Sequence, residues 1–243
     1  MIERLKHWWS WDPEHERASA DNPIAPLSAD QRRGAGPLLT LAFGWGFLVT
    51  GLFTGGILGA GQRFWPDIVV ATFAGNFANF VIGAVVGYIG YRTACNSGLL
   101  YRLVYGRIGA YIPVLIIAVL LIGWQGIVVG AFGSAWAGNT DSSTFYVVAI
   151  LAGLLFTATT YFGVKGLESV SIPAVIVLVL VGLYAAWLNI DRAGGWGGFL
   201  ELSAATAAAS DTPLSPLRAI NLVIGSWIVG AIVMAEYTRF ARR

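Results

Sequence analysis

Six stretches of this 243-residue chain contain no Asp, Glu, Lys or Arg: 34–62, 68–91, 108–140, 142–164, 169–190 and 219–235. A charge at the centre of a membrane-spanning helix costs about 2.5–3.5 kcal/mol. A span needs roughly 20 apolar residues rising about 1.5 Å each. Five of the windows reach that length outright. The sixth reaches it when Arg218 and Glu236 sit at the interfaces. The sequence therefore predicts six transmembrane helices, near 38–61, 68–90, 110–137, 144–164, 171–189 and 218–238. Transmembrane β-strands would alternate in polarity over about 10 residues. The run from Ile172 to Val181 is apolar on every side, which favours helices. Only 12% of residues are charged and mean hydropathy is +0.69. A soluble domain carries about 25% charged residues, so a water-soluble enzyme, a disordered chain and a nucleic-acid binder are excluded.

The cations set an orientation. Twelve Lys and Arg fall in the N-terminal segment, the 91–109 loop, the 164–170 loop and the end after the sixth window. The opposite side holds only Arg63, Arg192 and Arg218. The positive-inside rule then predicts a multi-pass plasma (inner) membrane protein with a cytoplasmic N-terminus, and the lipid bilayer as its surroundings. Net charge is only +2, which implies no nucleic-acid partner.

The segments between windows differ in character. Residues 1–37 are polar and contain no signal-peptide core. They read as a cytoplasmic tail, with Trp8, Trp9 and Trp11 either forming a short interfacial helix or lying in disordered chain. Residues 91–109 carry three Arg, no acid, and among their tyrosines Tyr101 and Tyr105. They predict a short surface helix ended by Gly106 and Gly109, which serves either as a plain positive anchor or in gating. Residues 190–217, rich in Gly, then Ala and Ser, predict a flexible outer connector.

Intramembrane chemistry has little to work with. The two histidines, His7 and His15, precede the first window, and Cys95 is the single cysteine. No nucleophile–base pair, metal cluster or cofactor is expected, so the chain reads as a non-enzyme. A channel lacks its carboxylate ring or repeated filter.

Glycines carry the stronger signal. The first window holds Gly44-Trp-Gly46, Thr50-Gly51 and Thr54-Gly-Gly-Ile-Leu-Gly-Ala-Gly61; the sixth holds Ile224-Gly-Ser-Trp-Ile-Val-Gly230. Glycine disfavours helix by about 1 kcal/mol relative to alanine. Broken helices at membrane depth are tolerated where they line a cavity, and in transporters they form the binding site. Close helix packing is the alternative, for which Gly51 with Gly55 and Gly126 with Gly130 have the small-xxx-small spacing. In the third window, Trp124 and Gln125 lie between Gly123 and Gly126. The indole is either a platform for a planar ligand or a packed core ring. The carboxamide faces the interior in either case.

Thr54-Gly-Gly-Ile-Leu-Gly-Ala-Gly61, Gly75-Asn76, Gly87-Tyr-Ile-Gly90, Gly123-Trp-Gln-Gly126, Gly225-Ser-Trp227 and Ala235-Glu-Tyr-Thr-Arg-Phe240 follow in order. From about residue 34 onward this set resembles the nucleobase:cation symporter-1 family, its cytosine-permease branch most of all. Glu236 stands where the family signature has Asp.

The resemblance implies an all-α membrane protein of LeuT-like fold, with two inverted five-helix repeats. Residues 38–189 would be the first repeat, 190–217 the outer loop and 218–243 the start of the second. The chain then corresponds to helices 1–6 of a longer transporter and is expected not to transport alone. The implied function is import of a nucleobase such as cytosine or a purine, coupled to Na⁺ or H⁺. Hydantoin, allantoin or a vitamin precursor is the alternative within the family, and a non-transporting assembly protein the alternative outside it. Trp124 and Trp227 would sandwich the base. Gly225 and Ser226 would offer polar groups, and Val49, Thr50 and Gln125 would approach the ligand from the sides. The first span would be unwound near Leu48 to Gly51. The carbonyls of Trp45 and Leu48 would form half of a Na⁺ site. Leu121, Gln125, Val49 and Thr50 depart from the cytosine-permease pattern, which leaves the particular heterocycle open.

Overall fold

A computed structural model describes residues 24–32, 34, 38–39, 49–160 and 163–242. The described residues are helical almost throughout. α1 is Val49–Gly61, α2 Val69–Thr93, α3 Ser97–Gly109, α4 Tyr111–Ala137, α5 Ser143–Thr160 and α6 Gly163–Arg192. α7 is Trp196–Ala208, α8 Pro216–Ile232 and α9 Ala235–Thr238. By length and composition, Phe64–Thr93, Tyr111–Ala137, Pro173–Arg192 and Pro216–Thr238 can cross a membrane. Gly51–Gly61 and Ser143–Ala158 are shorter and apolar.

The organising contact is between α2 and α8. Ala71, Gly75, Asn79, Gly83, Gly87 and Gly90 recur at helical spacing and are buried along one stripe of α2. A Cβ on Gly75 would lie 2.7 Å from the Val223 side chain, and one on Gly90 would lie 2.7 Å from the Ala235 Cα. In lipid, such close approach replaces the hydrophobic effect as the source of helix association. Leu58, Ala71, Ala219 and Val223 form the core where α1 joins this pair. α4 and α5 make a second pair, through Gly133 against Phe145 and the edge-on rings of Phe132 and Phe156.

The outer connector is a correction to the sequence reading. Residues 190–217 contain the 13-residue helix α7 rather than a flexible link. Its Leu-Ser-Ala-Ala-Thr-Ala-Ala stretch has strong helix propensity, since alanine is the best helix former. α7 also has something to pack on. Phe64 meets Trp196 and Phe199 edge-on, and the Phe64 N–H donates to Ser203 Oγ at 2.7 Å. Nearby, the buried Gln62 donates to the Leu214 carbonyl and closes the C-terminal end of α1 against the approach to α8.

At the other end the expected surface helix is present as α3. Asn96 caps it by accepting from the Leu99 N–H at 2.8 Å. Gly106 interrupts it with φ 72°, a left-handed conformation open to glycine. Of the N-terminal tail, residues 24–32 are docked. Leu27 packs on Ala94 and Phe240, and its N–H donates to the Ala94 carbonyl. The Arg32 guanidinium donates to the carbonyls of Tyr91 and Ala241. Trp8, Trp9 and Trp11 lie outside the described residues.

Candidate functional site

The sequence-predicted site draws on α1, α4 and α8, and the structure brings two of the three together closely. On α8, the Trp227 ring edge lies against Gly51 of α1: a Cβ there would meet Trp227 Cζ2 at 3.4 Å. One residue earlier, Ser226 Oγ and Thr54 Oγ1 are 2.7 Å apart. Ser226 donates to the Leu222 carbonyl one turn back, so the Thr54 hydroxyl can supply the proton between the two oxygens. The pair satisfies two polar groups that would be costly unpaired in hydrocarbon. Trp227 and Ser226 are both half-buried, and Gly225 is exposed with open space at its α-carbon.

Trp124 and Gln125 sit near the middle of α4, both half-buried. Gln125 makes no hydrogen bond among the described residues, and no ring contact joins Trp124 to Trp227 there. Around them Gly123, Gly126 and Gly130 have nothing within 4 Å of a would-be Cβ. Packing therefore does not explain Gly123, Gly126 and Gly130 of α4, nor Gly55 on α1; close packing falls on the α2 stripe, and at Gly133 and Gly61.

The backbone breaks differ from expectation. Val49, Thr50 and Gly51 are already helical, so that part of the unwound segment predicted near Leu48 to Gly51 is corrected. Trp45 and Leu48, the carbonyl donors implied for a Na⁺ half-site, lie outside the described residues. α8 runs unbroken through Gly225-Ser-Trp227 and ends at Ile232, and the turn at Val233–Met234 precedes α9. Two forces hold α8 helical across its glycine. The Ser226 hydroxyl binds a carbonyl of the preceding turn. Burial of Ala219, Val223, Gly230 and Ala231 offsets the glycine cost.

An open groove of about 410 Å³ lies farther out, between α1 and α7, lined by Gly55, Gly59, Phe64, Phe199 and Leu202 among others. It does not include Trp124 or Trp227.

The Ala235–Phe240 motif acts at the end of the bundle that carries α3. Ala235 fills the notch at Gly90, while Arg239 and Phe240 are buried, with the guanidinium 4.8 Å from the Phe240 ring centre. Glu236 Oε1 accepts the Ser97 N–H at 2.9 Å, at the first turn of α3. A carboxylate there meets both an orphan N–H and the positive end of the helix. Burial, and then the charge of Glu236, pushes the Tyr101 phenol above its ordinary range and keeps it protonated near neutral pH. Glu236→Ala is expected to destabilise the first turn of α3 by about 0.5–2 kcal/mol. Hydrogen–deuterium exchange of peptides covering 97–100 should speed up several-fold, with Glu236→Gln in between. Unchanged exchange in Glu236→Ala would remove this capping role.

Together these helices define an all-α membrane protein of the LeuT-like transporter fold. Over 91% of the chain, the structure matches that of Mhp1, described as a nucleobase-cation-symport-1 family transporter in a closed conformation with bromovinylhydantoin bound. The TM-score is 0.78 and identity is 20%. Residues 31–243 match the family model "Permease for cytosine/purines, uracil, thiamine, allantoin". The chain belongs to that family, the nucleobase:cation symporter-1 family. It is 31% identical over 226 residues to the cytosine permease of Escherichia coli (strain K12), covering 92% of this chain and 52% of that protein. It is 25% identical to the purine-uracil permease NCS1 of Arabidopsis thaliana, covering 95% and 41%. It is 22% identical to the hydantoin permease of Microbacterium maritypicum, covering 93% and 47%. The chain thus spans about half the length of the curated relatives it matches, and 48% of Mhp1.

Thr54, Asn79 and Glu236 carry polar contacts that sequence reasoning did not assign. Each had a signal available. Thr54 and Asn79 are isolated polar residues inside charge-free windows, and Glu236 is an acid at a span's end.

Proposed function

We propose that the full gene product imports a nucleobase or a related planar heterocycle, coupled to Na⁺ or H⁺, by alternating access. The observation that carries this reading is the joining of Trp227 and Ser226 on α8 to Gly51 and Thr54 on α1, in a chain of this family. An indole face binds a planar base by stacking and needs no buried charge. Trp124 and Trp227 are the two platforms. Gly225, Ser226 and Gln125 supply polar groups to the ligand edge, with Val49 and Thr50 shaping the side toward α1. The Trp45 and Leu48 carbonyls hold the co-transported cation, since carbonyl oxygens suit a hard ion. The cation is a second substrate, and no other cofactor is required. The twelve-to-three distribution of Lys and Arg sets the N-terminus in the cytoplasm.

The test is uptake by the full gene product in proteoliposomes. Labelled cytosine, uracil, adenine, hydantoin and hydroxymethylpyrimidine are offered with and without Na⁺ and H⁺ gradients. One or two of these should accumulate, and only with the gradient of the coupling ion. Failure of all five under both gradients would sink the reading. Accumulation of hydantoin alone would narrow it to the family's hydantoin branch.

A further inference from the structure

We propose that Asn79 is a positioning residue for the α8 half of this site, holding the backbone that orients Ser226 and Trp227. The inference rests on the base-binding reading of those two residues. The stripe of α2 that faces α8 is Ala71, Gly75, Asn79, Gly83, Gly87 and Gly90. Five of the six positions are Ala or Gly, because the neighbouring chain leaves almost no room. Asn79 breaks that rule in the middle of the seam while only 7% exposed. A residue kept for packing alone would be small there too.

Its contacts say what the amide is for. Nδ2 donates to the Ile224 carbonyl at 3.3 Å and to the Val223 carbonyl at 3.5 Å. These carbonyls directly precede Gly225-Ser226-Trp227. In an α-helix they accept the N–H groups of Trp227 and Ile228, four residues on. Asn79 therefore grips the two carbonyls to which the Trp227 backbone and its neighbour are tied. It does so where glycine makes the helix easiest to open. Asn79 Oδ1 makes no hydrogen bond among the described residues. A buried acceptor in that state is unfavourable, so the residue carries a cost that packing does not return. On the same turn of α8, Ser226 bonds the Leu222 carbonyl and Thr54, so this one stretch of backbone is held from α2 by Asn79 and from α1 by Thr54.

The experiment uses the full gene product in proteoliposomes with the heterocycle that the wild type takes up best. Asn79→Ala fits the small-residue seam. It should raise KM about three- to ten-fold, the size of one lost hydrogen bond, while Vmax stays within about two-fold. Quenching of tryptophan fluorescence by the heterocycle should shift by the same factor. Asn79→Val removes the donor without burying a charge, and the same KM rise is expected. It serves if Asn79→Ala does not fold. A folded variant of either kind with wild-type KM and wild-type quenching overturns the positioning role. A wild type that neither takes up nor binds any heterocycle overturns the base-site reading, and this inference with it.

Discussion

Trp227→Ala in the full gene product weakens binding of the transported base by about 5–150-fold. That range is the fold-change for losing one stacked base, about 1–3 kcal/mol by alanine substitution. Trp124→Ala should fall in the same range, because the two indoles would take opposite faces of one ligand. The edge of Trp227 also rests on Gly51, so removing the ring disturbs the α1–α8 contact as well. Trp227→Phe separates the effects: it keeps an aromatic face and most of the volume, and should lose no more than about ten-fold. Tryptophan fluorescence titration or equilibrium binding measures all three. Wild-type affinity in both alanine variants would return these rings to a packing role and leave the site elsewhere.

Gly90→Ala is expected to destabilise the protein by about 1–3 kcal/mol, the usual cost of overpacking. The added Cβ would sit 2.7 Å from the Ala235 Cα and 2.7 Å from Thr238 Oγ1. The first is backbone and cannot swing aside. In a thermal unfolding experiment the midpoint should fall by roughly 2–12 °C for a chain of this size. Gly130→Ala is the matched control. Nothing lies within 4 Å of its would-be Cβ, and alanine is up to about 1 kcal/mol better in a helix. The same chemical change should therefore be neutral or stabilising on α4 and damaging on α2. Equal effects at both positions would mean that the seam is not the tight contact described.

Much of the fold is legible in the sequence for one reason: charges are expelled from apolar surroundings whatever the tertiary structure. The gaps between charges therefore mark helices directly: α2, α4 and α8 largely fill the gaps from Asp67 to Arg92, Arg107 to Asp141 and Arg218 to Glu236. Glycine is a poorer guide. It marks close contact on α2, open space at Gly123, Gly126 and Gly130 of α4 and positive φ at Gly106, and a residue symbol alone does not distinguish these. The same ambiguity misplaced the opening of α8, where Ser226 and the burial of its neighbours keep the helix closed at Gly225. α7 was missed because an Ala/Ser/Gly stretch reads as linker until the Phe64 ring gives it a surface. Trp124 and Trp227 stand out in the sequence as aromatics inside charge-free windows, and their role toward a base is what we propose. The hydroxyl pair of Thr54 and Ser226 and the amide of Asn79 were not legible there, because 172 and about 145 residues separate the partners.

The docked segment 24–32 has a consequence for how the protein is made. Arg32 donates to the carbonyl of a residue 209 positions later, and Arg242 donates back to the Arg32 carbonyl across 210 positions. At about 5–20 residues per second, the ribosome needs roughly 10–40 s between synthesising the two ends of that clasp. These contacts of Arg32 thus cannot form until residues 241 and 242 have been made. Its docking on Ala241 and Arg242 would report that the helices from α2 to α9 have reached their places.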